Sequence, residues 1–509
     1  MNLDGNRQDL VVGVIGAGTM GRGIAQVAAT GGMSVLLMDS REGAATGAKD
    51  FIEKMLTRSA EKGNITQDEA KSAVDRVEVV NELGAFAPCH VVTEAIVENL
   101  AAKRELLAEL ETIVGDDCIL ATNTSSLSVT TIAAETNRPE RLAGMHFFNP
   151  VPLMKLVEII DGEVTAPWVG EALTAVGKRM GRVPVRVKDA PGFLVNQVGR
   201  GFNIEAAHLA SEGIAGFADV DRIMREAAGF RMGPFELMDL TALDVTHPAT
   251  EYIYEQFYHE PRFRPATLMR SRMEGGKLGR KTEQGFYPYK DKKAVVPPES
   301  PAPADRPESV WVCPAEPTGY AALTALLESL DAPLDTGDRP GDKTLCLVTP
   351  LGDDATTAAL DNELDPARTV AVDTLFGLDK RRTCMTTPVT DPAFRDAAHG
   401  LLASDGVPVT IIGDSPGFVA QRILAMIVNI GCSIAQLRTA VPDDIDKAVK
   451  LGLGYPHGPF GFGDLLGPDR ILKIIAAIHR QYGDPRYRPS LWLSRRARLG
   501  VPLTTPDAR

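Results

Sequence analysis

A histidine and a glutamate in one short stretch of the chain have the side chains needed for proton transfer. The stretch is MHFFNPVPLMKLVEII, from Met145 to Ile160, and it contains His146 and Glu158. An imidazole titrates near neutral pH, and a carboxylate beside it can orient the ring and stabilise its positive charge. Burying a carboxylate among apolar residues is costly without such a partner. The two residues are therefore a candidate dyad, and the alternative is a core histidine with an unrelated strand glutamate.

The residues between His146 and Glu158 predict a turn that would bring the two side chains together. Asn149-Pro150 and Val151-Pro152 cannot continue a helix, because proline lacks an amide donor and restricts the residue before it. Leu156 to Ile160 is a short apolar run, typical of a buried strand, and it carries Glu158 at its centre. The dyad is therefore expected on two strands joined by an irregular loop.

A glycine-rich turn near the start of the chain has the pattern of a dinucleotide-binding site. The β-branched run from Leu10 to Ile15 leads into GAGTMG and then into a stretch of helical composition. Gly16 permits the tight turn, Gly18 lets the backbone approach a pyrophosphate, and Gly21 lets the helix pack closely on the strand. The free amides at the helix N-terminus would bind the phosphates. A glycine turn without a ligand is the alternative.

Asp39 indicates which dinucleotide the turn would bind. It follows the second predicted strand, Ser34 to Met38, and lies 18 residues after Gly21. A carboxylate at this place accepts hydrogen bonds from the adenosine ribose, and its charge repels a 2'-phosphate. The sequence therefore favours NAD over NADP.

Polar residues follow two further predicted strands of the same sheet. Glu98 comes after the strand from His90 to Ala95, with Lys103 on the helix behind it, and Ser125 comes after the strand from Cys118 to Thr122. Ligands of open parallel sheets lie beyond the carboxyl ends of the strands. These side chains are therefore expected at the crevice of the glycine turn, although a serine there can also serve as a turn or cap residue.

The alternation of strands and helices ends near Lys188, and the composition becomes helical. Pro191 suits the first turn of a helix that would run to about Ser211. Asn196 lies one turn into that helix, near the predicted domain boundary, where an ordinary surface amide is the alternative to a functional one.

With 509 residues the chain is too long for one hydrophobic core.

The second half of the chain repeats part of the first. DAPGFLVNQ at Asp189 returns as DSPGFVAQR at Asp414, an offset of 225 residues, and GPF at Gly233 returns at Gly458 with the same offset. Applied to the candidate site, that offset places Pro350, Ala371, Thr383 and Gln421 where the first copy has Ser125, His146, Glu158 and Asn196. The second copy is therefore expected to lack the chemistry, to lack a phosphate-binding turn and to serve in packing.

Five segments are predicted from these observations. The fold class is an α/β Rossmann-type NAD-binding domain followed by an all-α domain, then a truncated α/β segment and a second all-α domain. The predicted boundaries are 1–188 for the Rossmann domain, 189–289 for the first helical domain, 290–310 for a Pro-rich linker, 311–412 for the truncated Rossmann-like segment and 413–509 for the second helical domain.

The bulk composition excludes several classes of function. A net charge of -13 disfavours a nucleic-acid partner, because phosphate binding needs a basic surface. The six cysteines are scattered without a C-x-x-C pair, which is typical of reduced thiols and predicts no metal site. We see no secretory signal and no run of 18 apolar residues, so we expect a cytoplasmic protein without a membrane partner.

The motifs together resemble the L-3-hydroxyacyl-CoA dehydrogenase family over about residues 10–290. The glycine turn with Asp39 is followed, in the order of that family, by VENLAAK, NTSS, HFFNP, VEII, DAPGFLVNQ and GFYPY. The resemblance implies that His146 is the catalytic base and Glu158 its orienting partner. It also implies that Ser125 and Asn196 hydrogen-bond the 3-oxygen of the substrate.

The same resemblance implies the ligands and the reaction. Beside the glycines, the NAD site would be lined by Met20, Asp39, Glu98, Lys103, Ser125 and Asn149, and Lys62 would contact CoA. The expected reaction is NAD-dependent oxidation of an L-3-hydroxyacyl-CoA, with 3-hydroxybutyryl-CoA or 3-hydroxyadipyl-CoA as the substrate. The alternatives are a dehydrogenase of a non-CoA 3-hydroxy or sugar acid, and a non-catalytic NAD-binding scaffold.

The resemblance also bears on assembly. Members of the family with one helical domain form dimers through it. Two helical domains in one chain therefore imply an intrachain pseudo-dimer, and a homodimer of the full chain stays open.

Overall fold

Short β-branched runs alternating with helical segments build the first sheet. In the computed structural model, which describes residues 3–508, these runs form an eight-stranded sheet with the order β3-β2-β1-β4-β5-β6-β7-β8. Strands β7 and β8 run opposite to the other six. The strands are β1 (Val11–Ile15), β2 (Ser34–Met38), β3 (Val77–Val79), β4 (Val91–Glu94), β5 (Ile119–Thr122), β6 (Leu142–Phe147), β7 (Leu156–Asp161) and β8 (Val183–Lys188).

Helices connect the strands of this sheet and bury its aliphatic side chains. They are α1 (Thr19–Thr30), α2 (Ala44–Glu61), α3 (Gln67–Asp75), α4 (Leu100–Glu111), α5 (Val129–Ala133) and α6 (Pro167–Arg179). Val12, Val14 and Leu37 are fully buried in the core between sheet and helices. Burial of each such side chain stabilises the fold by about 1.5–3 kcal/mol. The Rossmann-type α/β fold predicted for this region is confirmed.

A helical region follows, as predicted from the composition. Its helices are α7 (Val195–Ser211), α8 (Phe217–Arg222), α9 (Pro234–Thr241), α10 (Leu243–Gln256) and α11 (Thr267–Glu274), and a small hairpin of β9 (Tyr289–Lys290) and β10 (Lys293–Ala294) ends it. Helix α7 begins at Val195 and not at Pro191. The reason is that Gly192 and Phe193 have φ angles of 71° and 50°, which a right-handed helix does not allow.

Two aspartates of the helical region bind backbone amides. Asp221 accepts hydrogen bonds from the Phe235 amide (2.9 Å) and the Tyr287 hydroxyl (2.6 Å). Asp239 accepts from the amides of Phe286 and Tyr287 at 2.8 and 3.0 Å. Burial raises the pKa of Asp221 to about 7. The GPF and GFYPY motifs therefore serve the local fold.

The described part of the second half contains a five-stranded sheet with the order β11-β12-β13-β14-β15, in which only the β13–β14 pair is antiparallel. This order and these directions match β4 to β8 of the first sheet. The elements are β11 (Val310–Val312), α12 (Pro317–Ser329), β12 (Leu345–Val348), α13 (Ala355–Asp361), β13 (Thr369–Val372), β14 (Arg382–Thr386), α14 (Pro392–Leu402) and β15 (Val409–Ile412). The glycine-turn half of the first sheet has no counterpart in this sheet.

The last helices repeat the pattern of the first helical region. They are α15 (Val419–Gln436), α16 (Pro442–Leu453), α17 (Pro459–Leu466), α18 (Pro468–Tyr482) and α19 (Leu491–Leu499). Within the described residues, α15 alone is long and apolar enough for a membrane span, with a mean hydropathy of 1.3, but 89% of it is buried inside the protein. Such burial is typical of a core helix.

The chain divides into two compact units that do not follow the sequence order. The first unit contains residues up to Gln197 together with Leu437–Leu453, and the second contains Val198–Gln436 and the residues from Gly454 onward. In the first unit the Lys188 amide donates to the Thr439 carbonyl at 2.8 Å, and in the second the Gly413 amide donates to the Ile214 carbonyl at 2.9 Å. At the 225-residue offset, Lys188 corresponds to Gly413 and Ile214 corresponds to Thr439.

Buried ion pairs join the two helical repeats inside the second unit. Glu205 of α7 pairs with Arg422 of α15 and with Arg486, and all three side chains are at most 1% exposed. Burial alone would raise the pKa of Glu205, but the two arginines lower it to about 2. Near the surface of the unit, Arg264 pairs with Asp484.

Candidate active site

The glycine turn between β1 and α1 has the backbone geometry that a dinucleotide requires. Gly16 has a φ of 99°, and a Cβ atom there would lie 2.5 Å from the Ala95 carbonyl oxygen. A Cβ atom on Gly21 would overlap the Gly16 carbonyl oxygen, at 1.6 Å, whereas no atom lies within 4 Å of the Cβ position on Gly18. The closed side of the turn therefore requires glycines, and the open side leaves room for a pyrophosphate.

Asp39 lies directly after β2 and contacts the glycine turn. Its Oδ2 accepts a hydrogen bond from the Ala17 amide at 2.7 Å, and its Oδ1 accepts from the Arg41 amide and Arg41 Nε at 2.9 and 3.0 Å. The hydrogen bond from Arg41 lowers the pKa of Asp39 to about 2, against the opposing effect of burial. The carboxylate is therefore charged at physiological pH and suited to accept hydrogen bonds from a ribose. The sequence motif alone does not point to Arg41, because its role depends on the turn that brings it to Asp39.

Lys103 is buried and paired with two glutamates. Its Nζ lies 2.9 Å from both carboxylate oxygens of Glu94 and 3.3 Å from Glu98 Oε2, and its side chain is 1% exposed. Thr122 also donates to Glu94. Sequence analysis missed Glu94, although an acidic residue ending an apolar strand was a signal that it needs a buried cation. Lys103 therefore pairs with Glu98, the side chain predicted to line the NAD crevice.

Glu98 organises the loop that carries Ser125. Its Oε1 accepts hydrogen bonds from Thr124 Oγ1 (2.6 Å), the Ser125 amide (3.1 Å) and Ser126 Oγ (2.9 Å). Burial opposes ionisation, but these bonds and the charge of Lys103 outweigh it, and the pKa of Glu98 is lowered. Ser125 itself is exposed at the end of β5. The structure therefore brings together Glu98, Lys103 and Ser125, which belong to different predicted elements.

His146 and Glu158 face each other across antiparallel strands β6 and β7. His146 Nδ1 lies 2.7 Å from Glu158 Oε2, and the two residues are 5% and 0% exposed. The imidazole packs against the rings of Phe148 and Phe193, at centroid distances of 4.5 and 5.7 Å. The carboxylate therefore fixes the tautomer with the proton on Nδ1, which leaves Nε2 as the basic nitrogen.

The second oxygen of Glu158 is held by the start of α7. Glu158 Oε1 accepts hydrogen bonds from the amides of Leu194 and Val195 at 3.2 and 2.9 Å. Asn196 follows in the first turn of the same helix. Both carboxylate oxygens are thus engaged, and the helix that orients Glu158 is the helix that carries Asn196.

The other predicted site residues lie at the edges of these elements. Met20 is half-buried in α1, Asn149 is exposed after β6, and Lys62 is exposed at the C-terminal end of α2. A role for Lys62 in binding CoA stays a prediction. Within residues 3–508, no group of three or more His, Cys, Asp or Glu side chains is arranged to hold a metal ion, and all six cysteines are buried as free thiols.

The counterpart of the dyad in the second copy differs from the prediction made with the constant offset. Thr383 of β14 lies opposite Asp373, which follows the last residue of β13, and not opposite Ala371. The reason is the length of the connection between the strands. Glu158 lies 12 positions after His146, whereas Thr383 lies 10 positions after Asp373.

Gln421 fills this second site. Its Nε2 donates to Asp373 Oδ1 at 3.0 Å and to the Pro350 carbonyl at 3.2 Å, and its Oε1 accepts from the Gly352 amide at 2.8 Å. Burial raises the pKa of Asp373. The second copy therefore carries a carboxylate where the first carries an imidazole, and a glutamine bonded into the protein where the first carries Asn196.

Comparisons with known proteins identify the family of the chain. The chain matches the family model of the 3-hydroxyacyl-CoA dehydrogenase NAD binding domain over residues 11–190 and that of the C-terminal domain over residues 192–289 and again over 417–503. It is 37% identical to the 3-hydroxyadipyl-CoA dehydrogenase of Escherichia coli K12 over 96% of this chain and 97% of that protein. A probable 3-hydroxybutyryl-CoA dehydrogenase of Bacillus subtilis is 41% identical over 55% of this chain and 97% of its own length.

A solved structure covers nearly the whole chain. The crystal structure of an Escherichia coli K12 3-hydroxybutyryl-CoA dehydrogenase superposes with a TM-score of 0.85 and 34% identity, covering 97% of this chain and 99% of that one. The chain therefore belongs to the 3-hydroxyacyl-CoA dehydrogenase family and is an NAD-dependent dehydrogenase.

Proposed function

We propose that this protein oxidises an L-3-hydroxyacyl-CoA to the 3-ketoacyl-CoA with His146 and Glu158 as its proton-transfer dyad. The observation that carries the proposal is the 2.7 Å contact between His146 Nδ1 and Glu158 Oε2. Because Glu158 Oε1 is also held, by the Leu194 and Val195 amides, the carboxylate cannot rotate away from the ring without losing hydrogen bonds.

The division of labour within the dyad follows from this geometry. His146 Nε2 removes the proton of the 3-hydroxyl group, and in the reverse direction it returns that proton. Glu158 stabilises the imidazolium that forms and keeps the proton of the neutral ring on Nδ1. Bound NAD supplies the acceptor of the hydride from C3. Proton transfer of this kind is typically worth about 10²- to 10⁴-fold in rate.

Ser125 and Asn196 would hold the 3-oxygen. Ser125 is exposed on the loop that Glu98 organises, and Asn196 stands one residue after the amide of Val195 that binds Glu158. A hydroxyl and an amide in these places can donate to the developing carbonyl oxygen, which favours the ketone-forming transition state.

The cofactor-binding residues are those of the glycine turn and the neighbouring strand ends. Gly16, Gly18 and Gly21 would admit the pyrophosphate, and Asp39 would accept from the ribose hydroxyls. Met20, Glu98, Ser125 and Asn149 complete the proposed set, together with Lys103, which pairs with Glu98. The open space beside Gly18 and the charged state of Asp39 support this assignment.

The proposed acyl substrates are 3-hydroxybutyryl-CoA and 3-hydroxyadipyl-CoA, which are the substrates named for the similar proteins of Escherichia coli. Absorbance of NADH with acetoacetyl-CoA as the oxidised substrate tests the reaction. We expect consumption of NADH with the thioester and little with free acetoacetate. Consumption with the free acid alone would support a dehydrogenase of non-CoA acids, and NADH binding without consumption would support a scaffold. A panel of 3-hydroxyacyl-CoAs compared by kcat/KM then identifies the preferred chain.

The same proposal includes an intrachain pseudo-dimer of the helical domains in a cytoplasmic enzyme. The buried pairs of Glu205 with Arg422 and Arg486 support it, because they bind the first helical repeat to the second. A shortened chain ending at Tyr289 exposes Glu205 without these partners. We expect it to self-associate in sedimentation experiments. A stable and fully active monomer would contradict the pseudo-dimer.

A further inference from the structure

Helix α16 belongs to the second repeat in sequence but to the first unit in structure. It packs on β7 and β8, and its residues Ile445, Ala448 and Val449 are fully buried. The segment before it is attached to the end of β8 by the hydrogen bond from the Lys188 amide to the Thr439 carbonyl. A part of the second half therefore lies against the strand that carries Glu158.

Gly452, in the last turn of α16, packs directly against two buried residues of the first unit. A Cβ atom on Gly452 would lie 2.9 Å from Leu156 Cδ2 and 3.0 Å from Val195 Cγ2. Leu156 and Val195 are 0% and 2% exposed, so neither side chain has free space to move into. Val195 is β-branched and stiff about its first side-chain torsion, so pressure on its methyl groups passes to its backbone.

Both neighbours of Gly452 are directly linked to the dyad. The Val195 amide donates to Glu158 Oε1 at 2.9 Å, and Glu158 Oε2 contacts His146 Nδ1 at 2.7 Å. Leu156 lies two residues before Glu158 on β7, so the two side chains leave the same face of the strand. A continuous series of contacts thus joins Gly452 to the imidazole through Val195 and Glu158.

The backbone of α16 does not itself require a glycine at position 452. The φ angle of Gly452 is not positive, so an alanine is compatible with its backbone conformation. Space against Leu156 and Val195 is therefore the reason for glycine at this position.

We propose that Gly452 is a positioning residue for the catalytic carboxylate, so that the second half of the chain contributes to the rate of the reaction and not only to packing. By letting α16 lie directly on Leu156 and Val195, it fixes the amide that holds Glu158 at the distance the dyad needs. This inference rests on the proposed function of His146 and Glu158.

The test compares Gly452→Val with Lys450→Val in the full-length protein. Lys450 is exposed on the same helix, so its variant introduces the same side chain away from the contact. For Gly452→Val we expect kcat to fall by about 10- to 100-fold, because displacements of about 1 Å at an oriented catalytic group have such effects. The KM values for NAD and for acyl-CoA should stay within about twofold of the wild type. Lys450→Val should keep the wild-type kcat.

Three further readouts separate positioning from general damage. The pH profile of kcat should shift toward lower pH in Gly452→Val, because a displaced carboxylate stabilises the imidazolium less. The downfield proton resonance of the His146–Glu158 hydrogen bond should also shift, which is measurable without turnover. The double variant Gly452→Val/Val195→Ala restores space and should recover part of the lost kcat. Gly452→Ala is the milder variant if valine prevents folding.

The outcomes distinguish this inference from the proposed function. If the wild type does not turn over 3-hydroxyacyl-CoA, the proposed function fails first. If the wild type is active and folded Gly452→Val or Gly452→Ala keeps the wild-type kcat, pH profile and resonance, the positioning role of Gly452 is wrong. Equal losses of kcat in Gly452→Val and Lys450→Val, with no recovery in the double variant, would also overturn it.

Discussion

Substitution of Glu158 by glutamine separates the charge of the dyad from its shape. In the wild type both carboxylate oxygens accept hydrogen bonds, one from His146 Nδ1 at 2.7 Å and the other from the amides of Leu194 and Val195. A glutamine side chain has one carbonyl oxygen and one amide NH2 group, so it cannot accept hydrogen bonds on both sides. One of the two sets of contacts must therefore be lost or reversed in direction in Glu158→Gln.

Each orientation of the glutamine has a distinct consequence. If its oxygen keeps the Leu194 and Val195 amides, its amino group donates to His146 Nδ1, and the ring proton moves to Nε2. The nitrogen that should act as the base is then protonated. If its oxygen faces His146 instead, two buried backbone amides meet an amino group. Leaving a buried donor unsatisfied costs roughly 1–3 kcal/mol, so the first orientation is favoured.

The expected loss of rate follows from the wrong tautomer. The corresponding change in a histidine–carboxylate pair of hydrolases lowers kcat by about 10⁴-fold, and general acid–base catalysis as a whole is worth about 10²- to 10⁴-fold. We therefore expect kcat of Glu158→Gln to fall by about 10³- to 10⁴-fold. The KM for NAD should change by less than about threefold, because no proposed NAD contact is altered.

Steady-state rates of NADH formation from NAD and 3-hydroxybutyryl-CoA measure this effect, because His146 Nε2 acts as the base in that direction. Glu163→Gln is the matched control, because Glu163 is an exposed glutamate just beyond the same strand. A kcat of Glu158→Gln within about tenfold of the wild type, with the control unchanged, would refute a tautomer-setting role for Glu158.

Three further predictions concern other parts of the protein. Asp39→Asn should raise the KM for NAD by about tenfold with a smaller change in kcat, because hydrogen bonds to a charged group are lost, and an unchanged KM would exclude Asp39 from ribose binding. Lys103→Met leaves the Glu94 carboxylate buried without its cation and should cost roughly 3–5 kcal/mol in denaturant unfolding, whereas a loss below 1 kcal/mol would contradict the buried pair. Burial and neighbouring arginine charge lower the pKa of His208 from 6.5 to about 4. Between pH 6.5 and 4 the unfolded chain therefore binds more protons than the folded one. The free energy of unfolding should fall by about 3 kcal/mol as the pH drops through this range. His208→Gln should flatten this dependence of Tm on pH, and His457→Gln, at an exposed histidine, should not.

The parts of the site that could be predicted from the sequence are those fixed by local chemistry. Glycines at 16 and 21 are demanded by the backbone, since a side chain there would overlap a carbonyl oxygen. The turn between His146 and Glu158 could be predicted from its prolines, and the pairing of the two residues followed from the cost of burying a carboxylate.

The parts that could not be predicted depend on contacts between distant segments. Glu94 ends an apolar strand, but only the fold identifies its cation, by placing Lys103 Nζ 2.9 Å from both carboxylate oxygens. Pro191 predicts a helix start four residues before Val195, because no sequence pattern shows that the Leu194 and Val195 amides bind Glu158. The packing of α16 on β7 and β8 was missed for the same reason.

A sequence repeat with a constant offset can assign the wrong counterpart to a single residue. The 225-residue offset holds for the helical repeats and for β14 and β15, but Thr383 lies opposite Asp373 because the preceding connection has a different length. A constant offset carried across a loop cannot detect a difference in the length of that loop. The sequence was therefore sufficient to predict that the second copy lacks an imidazole, but not which residue replaces it.

The most direct test of the whole account is His146→Gln, measured for turnover and for NADH binding in the same preparation. The ring is removed while the glycine turn and Asp39 are untouched, so fluorescence titration should give an NADH Kd within about threefold of the wild type. Turnover of acetoacetyl-CoA should fall by at least about 10³-fold. Near-normal turnover in a folded His146→Gln protein would contradict the central claim that this imidazole transfers the proton.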